Sequence, residues 1–487
     1  MKVKGRFTEV EVQTGGVVSP PSLLPLLTPA QIRDEPWHVL GLEVSPVFRN
    51  RETGEDFPLV RRVLHRGISK ALKRTVFEFT RQQTSQRPAH YHSLGRRRVV
   101  NAVWAIDREL AELSNGFDFL LQVTPVNADE AWSRFRRRRF EMAPEFTSRP
   151  LPVDPALVKR RLFNVPIERI EDPTLAQLFR DQQTELDRKL TMLGDRGTPQ
   201  FLYGSLQLYG SADESLLNLA HDILKLLPAR NRDESPRGAL NASAFAAIAG
   251  DHIEQYRAIH PGLTARVEVR SDIVGLMVSR GTLLVGAGTT VPKARVGALL
   301  AHEVGTHIVT YENGKAQPFR QLYIGLPGYD ELQEGLAVLA EYLVGELSRP
   351  RLRLLAARVI ATQQMVDGAG FIEVFRDLTD VHSFSQRFAF NITMRVFRGG
   401  GLTKDIVYLR GLVALLKYLR EGGEIDPLVV GKVGLDHIPI IEELNWRQVL
   451  VTPPLRPLYL DDQIAARRLD DIKKGSPVLD LVKGKRR

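Results

Sequence analysis

Along most of the chain, apolar residues recur at spacings of three and four, as expected of helices that bury one face. Ala102–Leu121 and Asn127–Arg139 follow this period. So does Asp172–Leu193, with Leu175, Leu178, Phe179, Leu186, Leu190 and Leu193 as its apolar positions and an Asp-Pro start. Further helices are expected from the cap at Ser211–Glu214 to Leu227 and over Ala239–His260. Between Ala265 and Val285 the pattern changes to short alternating runs. Ala265–Arg270, Ile273–Ser279 and Gly281–Val285 read as strands, with Ser279-Arg280-Gly281-Thr282 as a hairpin turn. Helical spacing then returns. Thr289–Pro292 opens a helix buried on Val296, Leu299 and Leu300; Tyr311–Gly328 reads as a loop; and Asp330 with Gln333 makes a capping-box start. Leu332, Leu336, Leu339, Leu343 and Leu347 form the stripe of that second helix. Leu352–Gln364, Gly370–Leu378, Ser383–Val396 and Thr403–Tyr418 follow, with a flexible glycine turn at Arg398–Gly401. These elements predict a mainly α-helical α+β fold with a small antiparallel sheet.

Length, composition and charge narrow the picture further. A chain of 487 residues can bury a large core and hold several domains. Three parts are expected: an N-terminal extension of unknown role over 1–95, a main domain over 96–455, and a basic C-terminal tail over 456–487. Within the extension, Val3–Gln13 suggests a strand and Ser19–Pro36 an ordered, irregular linker. Residues after Pro453 are expected to be peripheral, and Lys473–Arg487 to be disordered. No apolar run approaches the ~18 residues of a membrane helix, and no apolar segment follows the charged N-terminus. There is no cysteine, which excludes disulfides and thiolate chemistry. A soluble, cytoplasmic protein with no membrane partner is the expectation. The net charge of +10, with clusters at Arg96–Arg98, Arg134–Arg139, Lys159–Arg161 and Lys483–Arg487, raises nucleic acid as a partner. No helix-turn-helix, zinc-finger or RNA-recognition signature accompanies it, so the basic runs are read as solvated faces.

The candidate chemistry lies in Ala301–Leu347. His302 and His307 are histidines on one helix, with Glu303 beside the first. Two imidazoles and a carboxylate can hold a zinc ion and leave a position for water, and a second carboxylate can take that water's proton. The spacing is unusual. Residues five apart on a regular α-helix diverge by about 140°. One π turn, with i→i+5 bonding, would realign them, and Gly305 makes distortion at Val304–Thr306 cheap. The third ligand is expected on the next helix, where Glu331, Glu334 and Glu341 share a face and spacing does not choose among them. An exposed strand edge just before the histidines could bind an extended peptide.

His302-Glu303-Val304-Gly305-Thr306-His307 followed by Gln333-Glu334-Gly335-Leu336-Ala337 resembles the QEGLA-motif family, described in bacteria as flavohemoglobin expression-modulating proteins. That family is related to the microtubule-associated tyrosine carboxypeptidases, which are zinc enzymes. Similar blocks lie at Asp172–Gly210, Leu283–Gly286, Arg395–Gly399 and Thr403–Asp405, so the resemblance spans roughly Val100 to Leu450. It implies one zinc per chain, with His302, His307 and Glu334 as ligands and Glu303 as general base, in a zincin-like domain whose sheet lies beside the metal helix pair. The implied activity is removal of a C-terminal residue, an aromatic one in the first instance, from a peptide or protein. A carboxypeptidase needs a cation for the terminal carboxylate, and Arg395, Arg398 and Lys404 are the candidates. Tyr408, with Tyr311, Tyr323 and Tyr329, could donate to an oxyanion, and His382 could carry a proton. The competing reading is a metal-binding regulator of gene expression without turnover, which would have no use for the base at Glu303.

Overall fold

A computed structural model describes residues 25, 27–34, 41–94, 99–229 and 238–482. The strand suggested over Val3–Gln13, the clusters Arg96–Arg98 and Lys483–Arg487, and half of the linker over Ser19–Pro36 lie outside the described residues. The chain forms two compact units, Met1–Leu94 and Gly95–Arg487. The first contains α1 (Pro58–Gln83), a long helix on which only Leu64 is buried.

The second unit holds the remaining chemistry. Its first helix ends sooner than its period suggests. The apolar run Ala102–Leu121 divides into α2 (Asn101–Asn115) and α3 (Phe119–Val123), because the Asp118 side chain accepts from Leu121 N and caps a new start. In α4 (Pro173–Gly194), Asp172 accepts from the amides of Thr174 and Leu175, and all six expected apolar positions are buried. The helix α5 (Ala242–Ile259) starts after Ala239–Asn241, which pairs as a strand with Thr290–Pro292. That pairing explains why Pro292 does not open the next helix: its segment is claimed by a strand.

The strands β1 (Arg266–Arg270), β2 (Leu276–Ser279) and β3 (Thr282–Gly286) form a sheet in the order β1-β3-β2. The hairpin β2–β3 is antiparallel, with Ser279 opposite Thr282. The outer strand β1 is parallel to β3, a pairing that alternation along the sequence cannot distinguish. Leu283 and Val285 of β3 join Phe245 and Tyr256 of α5 and Val304 and Ile308 in a small core of their own.

After β3 the chain runs through α6 (Val296–His302), a π turn at Glu303–Ile308, and α7 (Val309–Ala316). The expected loop Tyr311–Gly328 is therefore partly helical. Asn313, which reads as a turn former before Gly314, is buried: its Nδ2 donates to the carbonyls of Val429 and Leu455, and its Oδ1 accepts from Leu455 N. Tertiary hydrogen bonds hold the Asn-Gly pair in a helix. Next come α8 (Tyr329–Leu343), α9 (Arg349–Val366), α10 (Gln386–Phe397), α11 (Val407–Arg420) and α12 (Gln463–Lys473). The capping box at Asp330–Gln333 does not form; left-handed Gly328 starts α8, and Asp330 is drawn into an ion pair with Lys404.

The glycine turn Gly399–Gly401 has positive φ at all three residues and packs on Phe201 and Leu202, so it is a turn of defined shape. Residues after Pro453 are not peripheral. Leu455, Ala465, Ile472 and Leu481 are buried, and α12 packs against both α8 and α11. Their polar majority hides a sparse apolar stripe, and that stripe is enough to dock the segment.

Candidate metal centre and cavity

The π turn expected from the histidine spacing is present, and it brings His302 and His307 together. Their rings are 5.0 Å apart between centroids. Thr306 Oγ1 donates to the carbonyl of Ala301 at 2.9 Å, five residues back, and so ties the widened turn to α6. Gly305 is closely packed: a Cβ there would lie 3.0 Å from the Tyr459 ring. The C-terminal segment thus packs directly on the distorted turn.

The helix α8 brings the acidic residues to the same place and separates their roles. Glu334 Oε2 lies 3.7 Å from Nε2 of His302 and 3.7 Å from Nε2 of His307. This oxygen is buried and has no hydrogen-bond partner. Zinc bonds to three such donors would leave neighbouring donor atoms roughly 3.4 Å apart in tetrahedral geometry, so a small contraction would close the set on an ion. Glu303 also borders the rings: one donor atom from each of His302, Glu303 and His307 fits within 4.8 Å. Glu303 Oε1 is 4.0 Å from His302 Nε2. Of the two carboxylates, Glu334 has the oxygen shared evenly between both rings.

Glu341 and Glu331 do other things. Glu341 pairs with Nδ1 of His302 at 3.0 Å, on the far side of the ring, and takes ion pairs from Arg351 and Arg295. Burial opposes its ionisation, but Arg351, His302 and Arg295 hold the carboxyl well below the usual range. Glu331 pairs with Arg410 at 2.6 Å near the surface. Each residue of the Gln333–Ala337 motif has a physical task. Gln333 Oε1 accepts from Thr310 Oγ1 at 2.7 Å and ties α8 to α7. At Gly335 a Cβ would come within 2.4 Å of the Gly411 backbone, so α8 and α11 touch chain to chain. Leu336 and Ala337 are buried core.

Residues 133–475 match the family model described as microtubule-associated tyrosine carboxypeptidase. The match covers well over half of the chain. The chain belongs to that family. The family description is that of a carboxypeptidase-like enzyme, and the match takes in the π turn, α8 and the cationic residues beyond them. No curated protein matches the chain.

In this family member the histidines open onto a cavity of about 310 Å³. Glu303, Glu334, Asp330, Tyr329 and Tyr408 line it, and so does the chain from Val274 to Val278, including β2, an edge of the sheet among the described residues. Leu120, Leu354, Phe388, Ile392 and Met394 supply apolar wall. Lys404 also lines it, with Nζ 3.0 Å from Asp330 and 3.3 Å from Glu334 Oε1. It thereby turns the other oxygen of Glu334 towards the imidazoles. Burial disfavours the Glu334 carboxylate, yet Lys404 and the two rings outweigh that and hold it well below its ordinary range.

Arg395 and Arg398 both reach the cavity wall, together with Arg358, which sequence reasoning missed. Arg395 grips Asp405 with two bonds of 2.7 Å. A charge between the buried Leu355 and Val359 of α9 was the available signal for Arg358. Lys432 is a further unexpected lining residue, stacked over Tyr311 and Tyr329 at 5.3 and 5.5 Å. Tyr311 and Tyr323 pack edge to face on one another, and His382 pairs with Asp377 at 3.3 Å; none of these three lines the cavity.

Proposed function

We propose that the protein is a zinc-dependent carboxypeptidase that releases a C-terminal residue from a peptide or protein. The observation that carries this reading is the buried, unpartnered Oε2 of Glu334, equidistant from the Nε2 atoms of two histidines. A buried carboxylate oxygen without a donor is costly, and an ion shared with both imidazoles removes that cost. His302, His307 and Glu334 would hold the metal, with Glu341 fixing the His302 ring through Nδ1 as ligating histidines commonly require. Zinc bound there supplies Lewis-acid polarisation of a carbonyl and acidifies water. Glu303, buried beside His302, accepts the proton of the attacking water at its carboxylate and returns it to the departing amine. Tyr408, with its ring bordering the cavity, donates to the developing oxyanion.

The free edge of β2 supports binding of an extended chain by main-chain hydrogen bonds. The apolar wall of Leu120, Phe388 and Met394 suits an apolar or aromatic terminal side chain, so peptides ending in tyrosine or phenylalanine are the first substrates to try. Metal analysis tests the site. Purified protein should carry about one zinc per chain, and His302→Ala, His307→Ala and Glu334→Ala should each lose it. Full occupancy in all three variants would remove the site and the mechanism with it.

A further inference from the structure

The π turn at Glu303–Ile308 adds one residue to a helix that is α-helical on both sides, in α6 and α7. One residue is about 100° of helix rotation. Relaxation to an uninterrupted α-helix would therefore turn α7 by about 100° relative to α6 and carry one histidine away from the other. The π form is the rarer of the two, so contacts that recognise the rotation of α7 decide between them.

Two such contacts come from the segment Val451–Tyr459. Asn313 of α7 and Gln317, four residues on and just past its end, lie on one side of the helix. Each offers a whole side-chain amide to one residue of the segment. Gln317 Nε2 donates to the Val451 carbonyl at 2.9 Å, and its Oε1 accepts from Val451 N at 3.0 Å. Asn313 pairs with Leu455 in the same way, at 2.8 and 3.0 Å. Leu458 N then reaches the Tyr256 hydroxyl of α5 at 3.0 Å. Pro453, Pro454 and Pro457 lie between these points and keep the segment extended, so its paired amides stand at fixed places. Tyr459 sets its ring against Gly305 and its hydroxyl 3.5 Å from Thr306 Oγ1, inside the π turn itself. Asn313 is 0% exposed and Gln317 6%, so a rotation of α7 would strand both amides, and the backbone groups facing them, in the interior.

We propose that Asn313 and Gln317 are positioning residues: paired with Leu455 and Val451, they lock the rotation of α7, keep Glu303–Ile308 in its π form and so hold His307 opposite His302. The consequence for zinc rests on the metal reading; the lock itself belongs to the metal-free protein. Neither residue lines the cavity. Both act through the helix that carries His307 into it.

Deletion of Gly305 isolates the effect. In the shortened chain the two histidines are four residues apart, about 40° on a regular helix, and α7 keeps its present rotation without a π turn. Zinc affinity is measured by chelator competition for Gln317→Ala and Asn313→Ala, each in the full chain and in the chain lacking Gly305. In the full chain each substitution should weaken zinc binding roughly 10–100-fold, the scale of a lost support behind metal ligands. In the shortened chain the same substitutions should leave affinity unchanged, since no π turn remains to relax. Equal losses in both chains would reduce the two amides to general stability and overturn the proposal; so would the absence of any loss in the full chain. Hydrogen exchange in the metal-free protein carries the test if the deletion or Asn313→Ala fails to fold, or if the wild type binds no zinc. There Gln317→Ala should speed exchange of the Glu303–Ile308 amides while those of α9 stay protected. Unchanged exchange in the turn overturns the lock whatever the metal does. Faster exchange in a protein that never binds zinc leaves the lock standing and removes the peptidase reading.

Discussion

At one end of the cavity Glu303, Glu334 and Asp330 lie with two ammoniums, Lys404 and Lys432, and two imidazoles; at the other, three arginines face Asp405. Both ends are buried and both are unbalanced, in opposite senses. Ordinary interior ion pairs in the same unit show the contrast. Arg447 sits between Asp172 and Glu443, and Lys189 pairs with Glu185, so each of these cations has a carboxylate built in beside it. A protein interior tolerates charge when the partner is built in. Where the partner is missing at two adjacent places, with excess negative charge at one and excess positive at the other, the function proposed above would supply a cation to the first and an anion to the second. That pairing is what a metal-dependent cleavage of a free carboxyl terminus requires.

Three substitutions test the comparison, in decreasing order of effect. Glu303→Gln keeps shape at the negative end and removes a proton acceptor. Hydrolysis of peptides ending in tyrosine or phenylalanine should fall by roughly 10²–10⁴-fold with zinc content intact. Wild-type rates in this variant would favour a regulator that only keeps the metal. Glu341→Gln leaves the direct donors in place and weakens the support behind His302. Competition with a chelator should show metal affinity lowered by roughly 10–100-fold; unchanged affinity would mean that the His302–Glu341 contact serves only packing. Gly335→Ala drives a methyl group into the Gly411 backbone and pries α8, which carries Glu334, away from α11, which carries Tyr408. A loss of about 1–3 kcal/mol in denaturant unfolding is expected. Tolerance without loss would show that the two helices can separate freely and that the ends of the cavity are not held in register by this contact.

The sheet and many helices were legible because their signals are local. The hairpin followed from alternation across Ser279–Thr282, and α4 from an aspartate cap, a proline and six apolar positions. Where long-range bonds compete with local preference, the sequence misleads. Asn313 and Gly314 read as a turn yet lie in a helix, because backbone carbonyls more than a hundred residues away accept from the asparagine. The segment after Pro453 reads as polar periphery, yet Tyr459 rests against Gly305 at the π turn.

What the sequence by itself determined is the distortion between the histidines. Two imidazoles five residues apart can meet only if the helix widens, so spacing alone required the π turn that Glu303–Ile308 adopts. The division of labour among the three glutamates was decided only in three dimensions. Both flanks of α8 are covered, by α6 on one side and α11 on the other, so neither helical period nor hydrophobicity separates Glu331, Glu334 and Glu341. Their partners do: Arg410 holds Glu331 near the surface, Arg351 and Arg295 hold Glu341 behind His302, and Lys404 turns Glu334 towards both rings. Those cations come from α11, α9, the turn before α6 and the turn before α11, distant stretches of chain whose meeting is a property of the packed fold and not of any local pattern.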